Sequence, residues 1–82
     1  MPIQDPLTQQ IIGLCYRVAN TLGHGFVEKV YENALAFELR RAKVAFVQQQ
    51  SVEVFYQGEK VGHYKADLIV EGRVIVEVKD TQ

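Results

Sequence analysis

Eighty-two residues with nine basic and ten acidic side chains, net charge −1, make one small domain (1–82) and exclude a chain-wide attraction to polyanions. The composition, 48% apolar and 23% charged, is that of an ordinary folded domain. A lone cysteine, Cys15, excludes an internal disulfide and has no neighbours at zinc-ligand spacing. No apolar run approaches the roughly 18 residues of a membrane span, and the start is not basic-then-apolar, so the expectation is a cytoplasmic chain without membrane association.

The first element is a helix. In "DPLTQQIIGLCYRVANTLG", Leu7, Ile11, Leu14, Cys15, Val18 and Leu22 recur at helical spacing and make one apolar stripe. Asp5 is a capping residue and Pro6 is tolerated in a first turn, while Gly23 and Gly25 mark the stop. A second helix follows in "FVEKVYENALAFELRRAK", with Val27, Val30, Tyr31, Ala34, Leu35 and Leu39 on one face. Arg40, Arg41 and Lys43 fall at its C-terminal end, where cations suit the helix dipole. They are also the best local basic patch for a nucleic-acid backbone, although such a run is more often a solvated helix end.

From Ala45 the pattern turns to strand. "VAFVQQQSVEVFYQ", "VGHYKADLIV" and "VIVEVK" are separated by turns at Gly58 and Gly72, which predicts a three-stranded antiparallel meander. The fold class is therefore α+β: two N-terminal helices packed on one face of that meander. A three-residue loop centred on Gly72 pairs Val70 with Val74. Ala66, Leu68, Val70, Val74, Val76 and Val78 then share the core face, and Asp67, Ile69, Ile75, Glu77 and Lys79 share the other.

In that register Asp67 lies opposite Glu77, their Cβ atoms about 4.5–5.5 Å apart, and two facing carboxylates repel. A divalent cation such as Mg²⁺ would resolve the conflict, since hard oxygens are its natural ligands. With Lys79 two residues along the same face, the set suits phosphodiester hydrolysis. The competing reading is a solvated strand face with an ordinary surface ion pair, worth about 0–1 kcal/mol. His24 and His63 lack ligand spacing, "GHG" is too short for a phosphate loop, and Cys15 sits on the apolar stripe.

"GFVEKVY" (Gly25, Glu28, Tyr31) matches the Gly-x-x-Glu-x-x-Tyr signature, and "VFYQGEKVGHYKADLIVEGRVIVEVK" resembles the remaining core of the GxxExxY proteins. That family is similar to the PD-(D/E)XK nucleases, whose motif is an Asp, a gap, then Glu-x-Lys; here Asp67, Glu77 and Lys79. The resemblance runs from about Ile11 to Lys79 and implies a restriction-endonuclease-like core. It also implies that Asp67 and Glu77 are metal ligands, that Lys79 is the catalytic lysine and that Glu28 contributes to the metal site, with Mg²⁺ or Mn²⁺ as cofactor and nucleic acid as partner. A structural reading of Glu28 stands beside this: an acid in the first turn of a helix is itself worth about 0.3–1 kcal/mol. Relatives continue past Glu-x-Lys into a further helix and strand that this sequence lacks. The domain is thus expected to be incomplete at its C-terminus, with a sheet face or edge open to a homodimer partner. The alternative to a nuclease is an inactive remnant of the fold that serves as a dimerising interaction module.

Overall fold

Asp5 opens the first helix as the sequence suggests. In the computed structural model, which describes residues 5–79, its carboxylate accepts the Thr8 N–H at 3.1 Å, and α1 runs Pro6–Leu22. Such a cap is worth about 1 kcal/mol. The same carboxylate meets Arg73 at 2.7 Å, tying the start of α1 to the loop between the last two strands. α1 stops at Gly23, whose φ of 72° is open to glycine and whose N–H donates to the Ala19 carbonyl.

α2, Glu28–Arg41, starts from an extended Val27 with no side-chain cap, so Glu28 in its first turn faces the positive end of the helix dipole. It stops where Lys43 turns left-handed (φ 63°) and the Val44 N–H closes on the Leu39 carbonyl.

The strands are β1 (Phe46–Tyr56), β2 (Glu59–Val70) and β3 (Val74–Val76), antiparallel in the order β1-β2-β3. Gln57 and Gly58, both at positive φ, form the two-residue turn whose twist matches a hairpin. The three-residue loop after Val70 pairs Val70 with Val74 and Leu68 with Val76, the register that the hydrophobic pattern required.

One face of the sheet is the core. Leu68 and Val70 are fully buried in one cluster with Leu35, Ala36 and Leu39 of α2 and Ile11 and Val18 of α1, with Val74, Val76 and Val78 packed against it; Ala66 is fully buried as well. Each buried Leu or Val contributes about 1.5–3 kcal/mol relative to exposure. α2 lies against β1 and β2, and α1 lies against α2. The rest of the β1–β2 hairpin, from Ser51 to Lys65, projects past this layer with Phe55, Tyr56 and Val61 exposed, which gives the chain its 43 Å long axis.

The expected strand to Lys79 is shorter. β3 stops at Val76, so the expected Asp67–Glu77 ladder pair does not form. The Asp67 carboxylate, not the ladder, takes the Val78 N–H, at 2.7 Å. A side chain longer than a backbone carbonyl holds the two strands apart there.

Candidate metal centre

The site grows from that separation of β2 and β3. Asp67 is half-buried, the last polar residue on β2 before the buried Leu68. One of its oxygens is committed to Val78 and the other accepts from the Gln49 amide nitrogen at 3.3 Å. The β1–β2 ladder pairs Gln48 with Leu68 and Gln50 with Ala66, leaving Gln49 and Asp67 between them without a ladder pair. Gln49 has φ 56°, a left-handed conformation that costs a non-glycine residue about 1–2 kcal/mol. From this kinked position its amide nitrogen also reaches both oxygens of Glu32, at 3.1 and 3.2 Å.

Glu32 is the residue the sequence reading missed. It is 3% exposed, the only buried charged side chain among the described residues. Besides Gln49 it receives the Gln48 amide at 2.8 Å and the Lys29 ammonium at 3.0 Å. Burial pushes its pKa up; the hydrogen bonds from Gln48, Lys29 and Gln49 and the Lys29 charge outweigh this and hold it below the usual carboxylate range. It therefore stands as a buried anion at neutral pH. The sequence did carry a signal: Glu32 lies three, four and seven residues before Leu35, Ala36 and Leu39, an acid on an otherwise apolar stripe. Buried acids are rare unless paired.

The other expected residues spread around this pair. Glu28 is exposed at the first position of α2, one turn before Glu32. Glu77 and Lys79 follow β3 and are exposed, alternating with the partly buried Val76 and Val78. Both border a cleft of about 620 Å³ between α1, α2 and the β3 segment, lined otherwise by Cys15, Val18, Tyr31, Leu35, Val76 and Val78 and by the loop Gly23–Gly25. Glu32, Gln49 and Asp67 do not line it; the cleft and the carboxylate pair meet through the segment from Val76 to Lys79. Burial in its wall pushes the Cys15 thiol pKa up, which leaves it protonated and a packing residue.

The signature Tyr31 serves the loop. Its hydroxyl donates to the Gly23 carbonyl at 2.6 Å and accepts from the Phe26 N–H, and its ring meets Phe26 edge-to-face with centroids 6.2 Å apart. Gly25 adopts φ 104°, which a side chain would strain. Together they fix the entry into α2 and hence the position of Glu32. In the basic patch, Arg40 lies over the Phe46 ring at 5.9 Å, while Arg41 and Lys43 are exposed. His63 sits on the projecting hairpin opposite Glu53, away from Asp67.

Among the described residues, no three His, Cys, Asp or Glu side chains gather as a metal-holding group. What the described residues do bring together is two carboxylates, Glu32 and Asp67, on a single amide nitrogen. No helix among the described residues is long and apolar enough to cross a membrane. No curated protein and no solved structure is similar enough to match this chain. The family model of the PD-(D/E)XK nuclease superfamily matches residues 5–82, nearly the whole length, over the helices, the meander and the Asp67…Glu77-x-Lys79 pattern described above. The chain belongs to the PD-(D/E)XK nuclease superfamily.

Proposed function

We propose that this chain is a divalent-cation-dependent nuclease domain that hydrolyses phosphodiester bonds of nucleic acid, and that within its superfamily it groups with the GxxExxY proteins through Gly25, Glu28 and Tyr31. The observation that carries the reading is the pairing of buried Glu32 with Asp67 at the place where β3 leaves β2, with Glu77 and Lys79 on the departing segment. As the family pattern has it, Asp67 and Glu77 would hold Mg²⁺ or Mn²⁺, with Glu28 in support, while Glu32 adds a fixed negative charge beside Asp67. When bound, the cation supplies charge to offset the phosphate and to lower the pKa of a water.

The chain's own residues supply the rest. Lys79 offers an ammonium that binds a phosphate oxygen and orients the attacking water. Glu32, anionic and fixed by three neighbours, cannot be reoriented by solvent, so its charge is in place before substrate arrives. Arg41 and Lys43, at the far end of α2, would contact the nucleic-acid backbone, with Arg40 held against Phe46.

The test is nicking of plasmid DNA and cleavage of single-stranded RNA by the full chain with Mg²⁺ or Mn²⁺. Cleavage that falls at least about 100-fold in Lys79→Ala and Asp67→Ala is the expected result. No cleavage of any substrate, together with no heat of Mn²⁺ binding, overturns the reading.

A second reading concerns assembly. β1 is an eleven-residue edge strand with one charged residue, Glu53, and exposed Val47, Val54, Phe55 and Tyr56. Neutral, apolar edges recruit another strand. We propose a homodimer through this edge, whether or not the chain is catalytic; a monomeric mass by light scattering at high concentration would contradict it.

A further inference from the structure

We infer that a second copy of this chain covers the projecting hairpin: the outer flank of α2, centred on Phe37, packs on the other copy's Val54 and Tyr56. The inference rests on the β1-edge assembly proposed above and specifies its register and its apolar contacts.

The hairpin carries an apolar face that the described residues leave open. Residues paired across a ladder share a face, and so do alternate residues along a strand. Val52 pairs with Tyr64 and Val54 with Gly62, in the same row as Gln50 with Ala66 and Gln48 with Leu68. They therefore extend the face that the helices cover at Leu68. Tyr56 joins that face by alternation. The opposite face holds Ser51, Glu53, Lys60, His63 and Lys65 beside Phe55. The hairpin is thus amphipathic, yet Val54 and Tyr64 are each 40% exposed and Tyr56 is 66% exposed. Apolar surface held in one contiguous patch marks an interaction site.

A matching surface lies on α2. Glu38 approaches Arg17 and Tyr31 bonds to Gly23, which puts α1 on one flank of the helix. Asn33 meets Gln48 at 3.1 Å and Arg40 lies over Phe46, so the other flank overhangs the edge strand β1. Phe37, four residues after Asn33 and three before Arg40, lies on that outer flank and is 54% exposed.

Two-fold pairing of β1 with β1 brings the two surfaces together. An antiparallel ladder that uses the whole strand, Phe46–Tyr56, is centred on Ser51 and leaves both copies' helices on one side of the joined sheet. Val54 then lies opposite the second copy's Gln48, and Tyr56 opposite its Phe46. Phe37, level with Gln48 and Phe46, overlies that part of the other hairpin. Glu53 faces Gln49 in this register, whereas a centre two residues later would set Glu53 against itself. The irregularity between Val54 and Phe55 places its extra residue, Val61, in β2, so β1 presents its free edge without an insertion. A stable interface buries about 800 Å² on each partner, which calls for side-chain contact beyond the ladder itself. Phe37 and Tyr56 each add on the order of 100 Å².

The experiment combines sedimentation velocity over a concentration series with disulfide trapping of the full chain. Wild type is expected to dimerise, and Phe37→Asp to weaken the dimer at least about tenfold. The thermal midpoint of Phe37→Asp, at dilutions where both proteins are monomeric, is expected to match wild type. Ser51→Cys is expected to crosslink to itself under mild oxidation, with peptide mass spectrometry linking residue 51 to residue 51 and not to Cys15. Gln48→Cys alone is expected to stay uncrosslinked, but to link to Val54→Cys when the two variants are mixed.

A wild-type dimer that Phe37→Asp leaves intact, or one that traps through Gln48→Cys alone and not through Ser51→Cys, overturns this packing and leaves an edge dimer standing. A wild-type chain that stays monomeric at high concentration overturns both. Should Phe37→Asp fail to fold, the Ser51→Cys link decides, and its absence in a dimeric protein overturns the proposal.

Discussion

Asp67 accepts the backbone N–H of Val78 at 2.7 Å across the point where β3 parts from β2. One carboxylate oxygen thus does the work of a missing ladder bond, and the other faces Gln49 and, beyond it, Glu32. Structure and site chemistry meet in a single side chain, which makes Asp67 the residue whose substitutions separate them.

Asp67→Ala leaves a part-buried N–H without its acceptor and is expected to cost about 1–3 kcal/mol in urea unfolding. Asp67→Asn keeps an acceptor oxygen and is expected to cost less than Asp67→Ala. Both variants are expected to lose Mn²⁺ binding by calorimetry, because an amide is a poor ligand for a hard cation in place of a carboxylate. Equal stability loss in the two variants would show that charge, not the hydrogen bond to Val78, holds the strand.

The pH dependence of stability has a defined sign. Glu32 has a folded-state pKa depressed below its unfolded value, so its contribution is fully present above the usual carboxylate range and is lost as pH falls through the folded value. Asp5 acts in the same direction, held down first by its hydrogen bond from Arg73, against the opposing effect of desolvation, and further by the Thr8 N–H. The urea midpoint is therefore expected to be flat above about pH 6 and to drop below about pH 4, with the drop shallower in Glu32→Gln. An equally steep acid limb in Glu32→Gln would remove Glu32 from the account.

Tyr31→Phe removes the hydroxyl that bridges the Gly23 carbonyl and the Phe26 N–H while keeping the ring. The expected loss is about 0.5–1.5 kcal/mol by urea unfolding. Gly25→Ala, at φ 104°, is expected to cost about 1 kcal/mol or more through strain, although a Cβ there would meet no neighbour within 4 Å. Gly25→Ala with unchanged stability would mean that the loop relaxes and does not fix α2.

Leu39→Ala probes the core. Leu39 is 0% exposed between α2 and the sheet, and its truncation is expected to cost about 2–5 kcal/mol. Total stabilities are commonly about 5–15 kcal/mol and lower in small domains, so the variant is expected to show a broadened or absent thermal transition by circular dichroism.

The elements were legible because each rests on local chemistry. Asp5-Pro6 begins a helix wherever it precedes a helical apolar stripe, and the valines at 70, 74 and 76 permit one register in which all face the core. The turns at Gly58 and Gly72 needed only the turn chemistry of glycine, whereas the positive φ of Gln57 and the start of β2 at Glu59 came from the structure. The Asp67…Glu77-x-Lys79 pattern was likewise readable in one dimension, as was the superfamily it belongs to.

What the tertiary structure decided was which acids meet. The register extrapolated past Val76 would have set Asp67 against Glu77, but a ladder stops when a side chain outcompetes a backbone carbonyl for the next N–H, and periodicity contains no such term. The carboxylate that shares the Gln49 amide with Asp67 is Glu32, because the packing of α2 on β1 turns that face inward. The left-handed Gln49 that joins them has no local signal at all, since nothing in "VQQQS" asks for a kink. The sequence determined the helices, the strands and the chemistry available to them. Only packing, which brings residues far apart in the chain within hydrogen-bond reach, determined the pair of acids that share one amide.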